Sequence, residues 1–136
     1  MRAGGGMTST GNGHVHEVTV DVPDGLWMTS NMRLHWARKA ERSRGLRYLG
    51  LCAVRHVPAM ARAHIVCTIA YPGGGRADPA NAWPTIKPLV DGMVDAGMLP
   101  DDNSRCLIGP DMRRAPHRAP KHHHHITVTI EELDHE

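Results

Sequence analysis

Four side chains between residues 78 and 102 have the types and order from which a phosphodiester hydrolase can be built: Asp78, Lys87, Asp101 and Asp102. Carboxylates brought together repel one another unless a cation sits between them. Oxygen ligands of this kind select Mg²⁺, with Mn²⁺ able to substitute, over zinc. A metal held this way activates water and stabilises the charge that builds on a phosphodiester under attack. A lysine close by adds a fixed positive charge on the same phosphate. The alternative for each acid is an ordinary solvated loop position, and spacing alone leaves both readings open.

Charge is unevenly spread along the 136 residues, although the net value is only +2. Between Arg33 and Arg62 eight Lys and Arg residues stand against one acid, Glu41; between Asp78 and Asp111 six acids stand against Lys87 and Arg105. A basic stretch beside an acidic cluster points to a polyanionic partner and to a cation site. Most of the cations are arginine, which suits bidentate phosphate contacts. Arg38, Arg42 and Arg47 in the basic stretch, Arg76 beside Asp78, and Arg113, Arg114 and Arg118 further on are the candidates for phosphate contact. A solvated helix face and a solubilising loop are the alternatives for the first and last of these groups.

Two other sets of residues invite chemistry. His122–His125 run into a strand pattern, so successive rings point to opposite faces and all four cannot bind one metal without distortion. A polar strand entrance is the plainer reading; a His-rich metal-binding protein unrelated to DNA is the rival one. Cys52, Cys67 and Cys106 are odd in number and widely spaced, which fits buried thiols in a reducing, cytoplasmic setting rather than a disulfide framework. No apolar run approaches the ~18–20 residues that cross a bilayer, and residues 1–13 show no hydrophobic signal region.

The elements that must position these groups follow from periodicity. Residues 1–13 are Gly/Ser/Thr-rich and are expected to be a disordered tail, with one domain over 14–133. His14–Val22 alternates, with Val18, Val20 and Val22 on one side. A helix is expected over about 33–56, capped by Ser30 or Asn31, with Gly45 and Gly50 as possible kinks. Ala63–Tyr71 is apolar on both faces and reads as an interior strand. A second helix over about 84–96 carries Ile86, Leu89, Val90, Met93 and Val94 on one side and Lys87, Asp91 and Asp95 on the other. Gly97 is placed to end it. Cys106–Ile108 is a possible short strand, 109–121 a basic Pro-rich loop, and Ile126–Ile130 a last alternating strand. Trp27 and Trp36 are candidates for the core or a dimer contact, and Trp83 for a packing anchor rather than a base-stacking platform. The order is β-α-β-α-(β)-β, a mixed α/β fold with a small mixed sheet and two main helices packed on it.

The run RADPAN, then Lys87, then LVDGMVDAGMLPDD, together with SNMRLHW at Ser30–Trp36, resembles the RusA family of Holliday-junction endonucleases in its phage and actinobacterial form. The resemblance extends from about residue 14 to 131. It implies a cytoplasmic, nucleoid-associated homodimer that binds four-way DNA junctions and nicks two strands with Mg²⁺. It also implies roles. Asp78 matches the first metal-binding aspartate of a D-x-D-N motif, Asn81 its asparagine, and Lys87 the catalytic lysine. Asp102 matches the distant metal-binding aspartate, with Asp101 its acidic neighbour and Asp91 a helix aspartate near the site. This chain departs from the pattern twice. Ala80 stands where the motif has its second aspartate, and a methyl group cannot ligate a metal. Lys87 also lies three residues further from Asn81 than the motif has it, close to one helical turn. The expected activity is therefore a Mg²⁺-dependent, junction-selective endonuclease; the alternative is a branched-DNA-binding protein whose cleavage is impaired by Ala80.

Overall fold

The computed structural model describes residues 8–10 and 13–134, with side chains from His14 onward. Strands β1 (Thr8–Thr10), β2 (Gly13–Pro23), β3 (Ala63–Ala70), β4 (Leu107–Arg114) and β5 (His123–Glu132) form one sheet in the order β1-β2-β5-β3-β4. Helices α1 (Trp36–Ala53) and α2 (Trp83–Asp95) join β2 to β3 and β3 to β4. The β2–β5 and β5–β3 pairs are antiparallel and β3–β4 is parallel, so the sheet is mixed, as expected. Part of the expected disordered tail is ordered: Thr8–Thr10 pairs antiparallel with β2. Residues 1–7 and 11–12 of that tail lie outside the described residues.

Alternation along the strands decides which sheet face carries the helices. Val20, Val22, Ile65, Cys67, Ile69, Ile126, Val128 and Ile130 point to one side and are buried with Leu46, Ile86, Leu89, Val90 and Met93 in a single core. The structure is thus two-layered, helices over one face of a sheet. Burial pushes the Cys67 thiol up to about 12, so it is an inert core atom; all three cysteines are unpaired. Among the described residues no helix is long and apolar enough to cross a membrane.

Helix α1 starts at Trp36 rather than 33 and ends at Ala53 rather than 56. Its cap is His35, whose Nδ1 accepts a hydrogen bond from Ala37 N at 3.2 Å. Ser30 instead ties its loop to the turn before α2, its N–H donating to Asn81 O at 2.9 Å. Gly50 does not act as a kink. A Cβ there would meet Leu89 O at 2.0 Å, and one on Gly92 would meet Arg47 O at 1.9 Å. The two helices cross with their backbones almost touching, and only hydrogen fits between them. Gly92→Ala is therefore expected to destabilise the fold by about 3 kcal/mol, lowering Tm by roughly 10 °C in a domain of this size. Gly25→Ala, with nothing within 4 Å of its Cβ, serves as the near-neutral control in the same thermal melts.

The other departure is β4. The expected Pro-rich loop is strand as far as Arg114, and Asp111–Arg114 pairs with Val66–Ile69. Proline is tolerated because β4 is an edge strand, where Pro110 has no ladder bond to lose on its open side. Trp27 is buried as expected, but Trp36 is 76% exposed and Trp83 41%. Neither belongs to the core.

Candidate functional site

The segment after β3 is shaped by short polar contacts. Arg114, one strand away, donates to Gly75 O at 2.8 Å and Gly73 O at 3.2 Å, and its guanidinium lies 5.0 Å from the centre of the Tyr71 ring. These contacts pin the glycine loop. The chain then enters a 3-10 turn, Pro79–Ala82, capped by Asp78, whose Oδ1 accepts from Ala80 N at 3.0 Å. Asp78 lines a cavity of about 180 Å³ with Thr29, Asn31, Tyr71, Arg76 and Asn81. Arg76 has no ion-pair partner among the described residues.

The 3-10 turn runs directly into α2, whose outer face holds the lysine. Lys87 Nζ donates to Asp91 Oδ1 at 2.7 Å and to Asp102 Oδ2 at 3.0 Å. Asp91 lies one helical turn on, and Asp102 comes from the turn beyond the end of α2. The hydrogen bond to Asp91 raises the Lys87 pKa above its ordinary value, against the opposing effect of burial, and the bond to Asp102 adds to it. Lys87 is therefore an ammonium at any physiological pH. The bond from Lys87 likewise holds Asp102 below the usual carboxylate range, so it stays ionised. Asp101 is turned into its own loop, Oδ1 accepting from Asp102 N at 2.7 Å and Oδ2 from Asn103 Nδ2 at 3.3 Å.

The expected site residues thus form two groups on one helix and its flanking turns. Asp78, Asn81 and Arg76 gather before α2; Lys87, Asp91 and Asp102 gather along its outer face. Among the described residues no three His, Cys, Asp or Glu side chains converge so as to hold a metal ion. The expected ligand set of Asp78, Asp101 and Asp102 is therefore not assembled as such a group among the described residues. Asp78 and Asp102 remain hard-oxygen donors of the kind Mg²⁺ takes. Mg²⁺ commonly uses only one or two carboxylates and fills its octahedron with water and substrate phosphate oxygens. A divalent ion at either carboxylate is chemically compatible with these residues on that basis.

Several expected phosphate contacts are engaged within the chain. Arg42 donates to Trp27 O at 2.9 Å and Asp24 O at 3.3 Å, bracing the turn after β2. Arg47 forms a two-pronged bond to Asp95 and lies 3.9 Å from Asp91, which clamps α1 to α2. Arg114 pins the glycine loop, Arg118 packs on Gly74, and Arg113 sits 3.9 Å from Asp111. Arg38 is exposed and, like Arg33, Lys39 and Arg44, has no side-chain partner among the described residues. Tyr71, Thr29 and Asn31 were not singled out by sequence as cavity residues. Of these only Asn31 lies within Ser30–Trp36, the segment that shares in the motif resemblance.

The four histidines part company as the strand alternation requires. His123 and His125 pair with Asp21 on β2 at 2.9 and 3.4 Å, and His122 with Asp24 at 2.9 Å. His124 points inward and stacks on Trp27, ring centres 3.6 Å apart and planes 4° from parallel, with Tyr71 edge-on at 5.3 Å. Its Nδ1 is buried without a partner among the described residues. Burial lowers the His124 pKa below 6.5, so the unfolded chain takes up a proton more readily than the fold does. Stability attributable to this ring is full at neutral pH and is lost as pH falls below about 6.5. His124→Phe, which keeps the stack and cannot titrate, is expected to flatten the fall in Tm between about pH 7 and 5.5.

Comparison with known proteins adds no family: no protein-family model matches the chain, and no curated protein matches it.

Proposed function

We propose that this protein is a divalent-metal-dependent endonuclease of the RusA type acting on branched DNA. The observation that carries the reading is the Lys87 ammonium, held by carboxylates from two separate elements on the helix that follows the Asp78 turn. These are the side chains the motif resemblance singles out, and they lie on one helix and the turns at its two ends. A bound Mg²⁺ would supply an activated water and neutralise charge on the scissile phosphate. Asp78 and Asp102 are the carboxylates of the chain that would hold it. A water that has given up a proton to solvent would attack phosphorus in line, the bond to the leaving oxygen would break with its electron pair passing to that oxygen, and no covalent intermediate would form. Lys87, permanently charged, stabilises the phosphorane-like transition state and the departing oxyanion; it is not the base. Asn81 and Arg76 orient the phosphate from the Asp78 side, and Asp91 keeps Lys87 aimed. A two-fold dimer would present two such sites to the opposed strands of a symmetric junction, giving paired nicks in the cytoplasm where the DNA lies.

Ala80 and the missing third carboxylate favour a second reading, a protein that binds branched DNA and cuts it slowly or not at all. End-labelled four-way junctions, incubated with Mg²⁺ or Mn²⁺ and run on denaturing gels beside mobility shifts in EDTA, separate the two. Paired nicks support the nuclease. Binding without nicks at any metal concentration leaves the binder, and no junction binding at low salt removes both.

A further inference from the structure

The face of α1 that carries Trp36 is unaccounted for by the site above. Tryptophan is among the residues most buried on average, yet Trp36 is 76% exposed, with the neighbouring His35 ring 5.5 Å away between centres. Arg33, Arg38, Lys39 and Arg44, all within eight residues of it in the chain, have no side-chain partner among the described residues, and Glu41 is the one acid on the helix. A depression of about 610 Å³ is lined by Arg33, Arg38 and Arg44 together with Glu41 and with His35, the ring beside Trp36. It shares Arg33 and Leu34 with a second, of about 410 Å³, that reaches Lys39 and Thr29. Thr29 in turn lines the Asp78 cavity. The surface is therefore continuous from the free cations of α1 to the acidic turn.

We infer that this groove seats a DNA strand with its phosphates on Arg33, Arg38, Lys39 and Arg44 and an unstacked base on the Trp36 indole. Its charge and shape decide the occupant. Free cations along a groove with an exposed aromatic beside it are the composition of a single-strand platform, in which cations track the backbone and the ring takes a base. A second copy docked about a two-fold axis on Trp36 would set the same four cations against their duplicates. Intact duplex offers phosphates but no free base face, so the platform favours DNA at a branch. The inference rests on the branched-DNA reading and names where that DNA enters.

The test uses the full chain in EDTA, so that cutting does not intervene, with a synthetic four-way junction and a continuous duplex of matched length. Trp36→Ala is expected to weaken junction binding about tenfold while Trp36→Phe stays within about threefold, and duplex binding should change less than twofold. The dependence of junction binding on salt should be unchanged in Trp36→Ala, whereas Arg38→Ala should lower its logarithmic slope by roughly 0.9. Junction binding by Trp36→Ala equal to that of the parent overturns the inference while leaving the branched-DNA reading intact. So does an equal loss on duplex and junction, or a sedimentation mass that halves in the variant and assigns the face to a second copy. A parent chain that binds no junction defeats both together.

Discussion

Lys87→Ala is expected to cut junction nicking by about 10²–10³-fold, the range for losing one preorganised charge at a transition state, with junction affinity in EDTA changed less than threefold. The separation arises because the ammonium is clamped. Asp91 and Asp102 hold it at 2.7 and 3.0 Å, so it acts at one point rather than as a diffuse attractor of DNA. The fold should survive the change. Both pairs are partly exposed, where such contacts contribute at most about 1 kcal/mol, and Arg47 remains 3.9 Å from Asp91 to offset its charge. The same clamp has a consequence in pH. With the Lys87 pKa raised above 10.5 by its two acids, nicking should show no loss attributable to this residue between about pH 7 and 9. Single-turnover rates measured across that range, with mobility shifts in parallel, check both points. A variant that nicks at the parental rate removes Lys87 from the reaction.

Ala80→Asp is expected to raise nicking at least tenfold and to lower the Mg²⁺ concentration needed for half-maximal rate. Position 80 is exposed on the 3-10 turn, between Asp78 and Asn81, and its N–H already donates to Asp78 Oδ1. A carboxylate there projects from a surface turn, with no core packing to disturb and no backbone bond to give up. It would add the hard-oxygen donor that the chain lacks, and Mg²⁺ affinity rises with the number of carboxylates it can use. Melting temperature should move by no more than a few degrees without metal and rise with added Mn²⁺, since a ligand that binds only the fold stabilises it. Unchanged rate and unchanged metal dependence would place position 80 away from the reacting centre. An inert parent rescued by Ala80→Asp would instead identify the natural chain as the binder.

The residue pattern carried most of the sheet. Val18–Val22, Ala63–Ala70 and Ile126–Ile130 alternate or run apolar, and each lies in a strand with the expected face inward. Helix α2 was as legible, because its apolar stripe and its Lys87–Asp91 spacing belong to the same 3.6-residue period. Helix α1 was less so. Its polar face wraps most of the way round, and its glycines read as weaknesses until the backbone of α2 is seen against them. Strand β4 was missed beyond Ile108 because proline and arginine in a row look like a loop, and only a neighbouring strand edge makes them a strand.

The division between the two levels has a physical cause. Periodicity and side-chain type are local properties, so the order of the elements from β2 to β5 and the mixed α/β class were legible in the sequence alone. Which charges cancel which is a non-local property. Arg42, Arg47 and Arg114 are as cationic in the sequence as Arg38, but the fold brings backbone carbonyls and Asp95 to them and leaves Arg38 in solvent. In the same way Asp102 reaches Lys87 across fifteen residues while its neighbour Asp101 turns back into its own loop. Pairing depends on distances of a few ångströms between segments far apart in the chain, and only tertiary packing sets those distances.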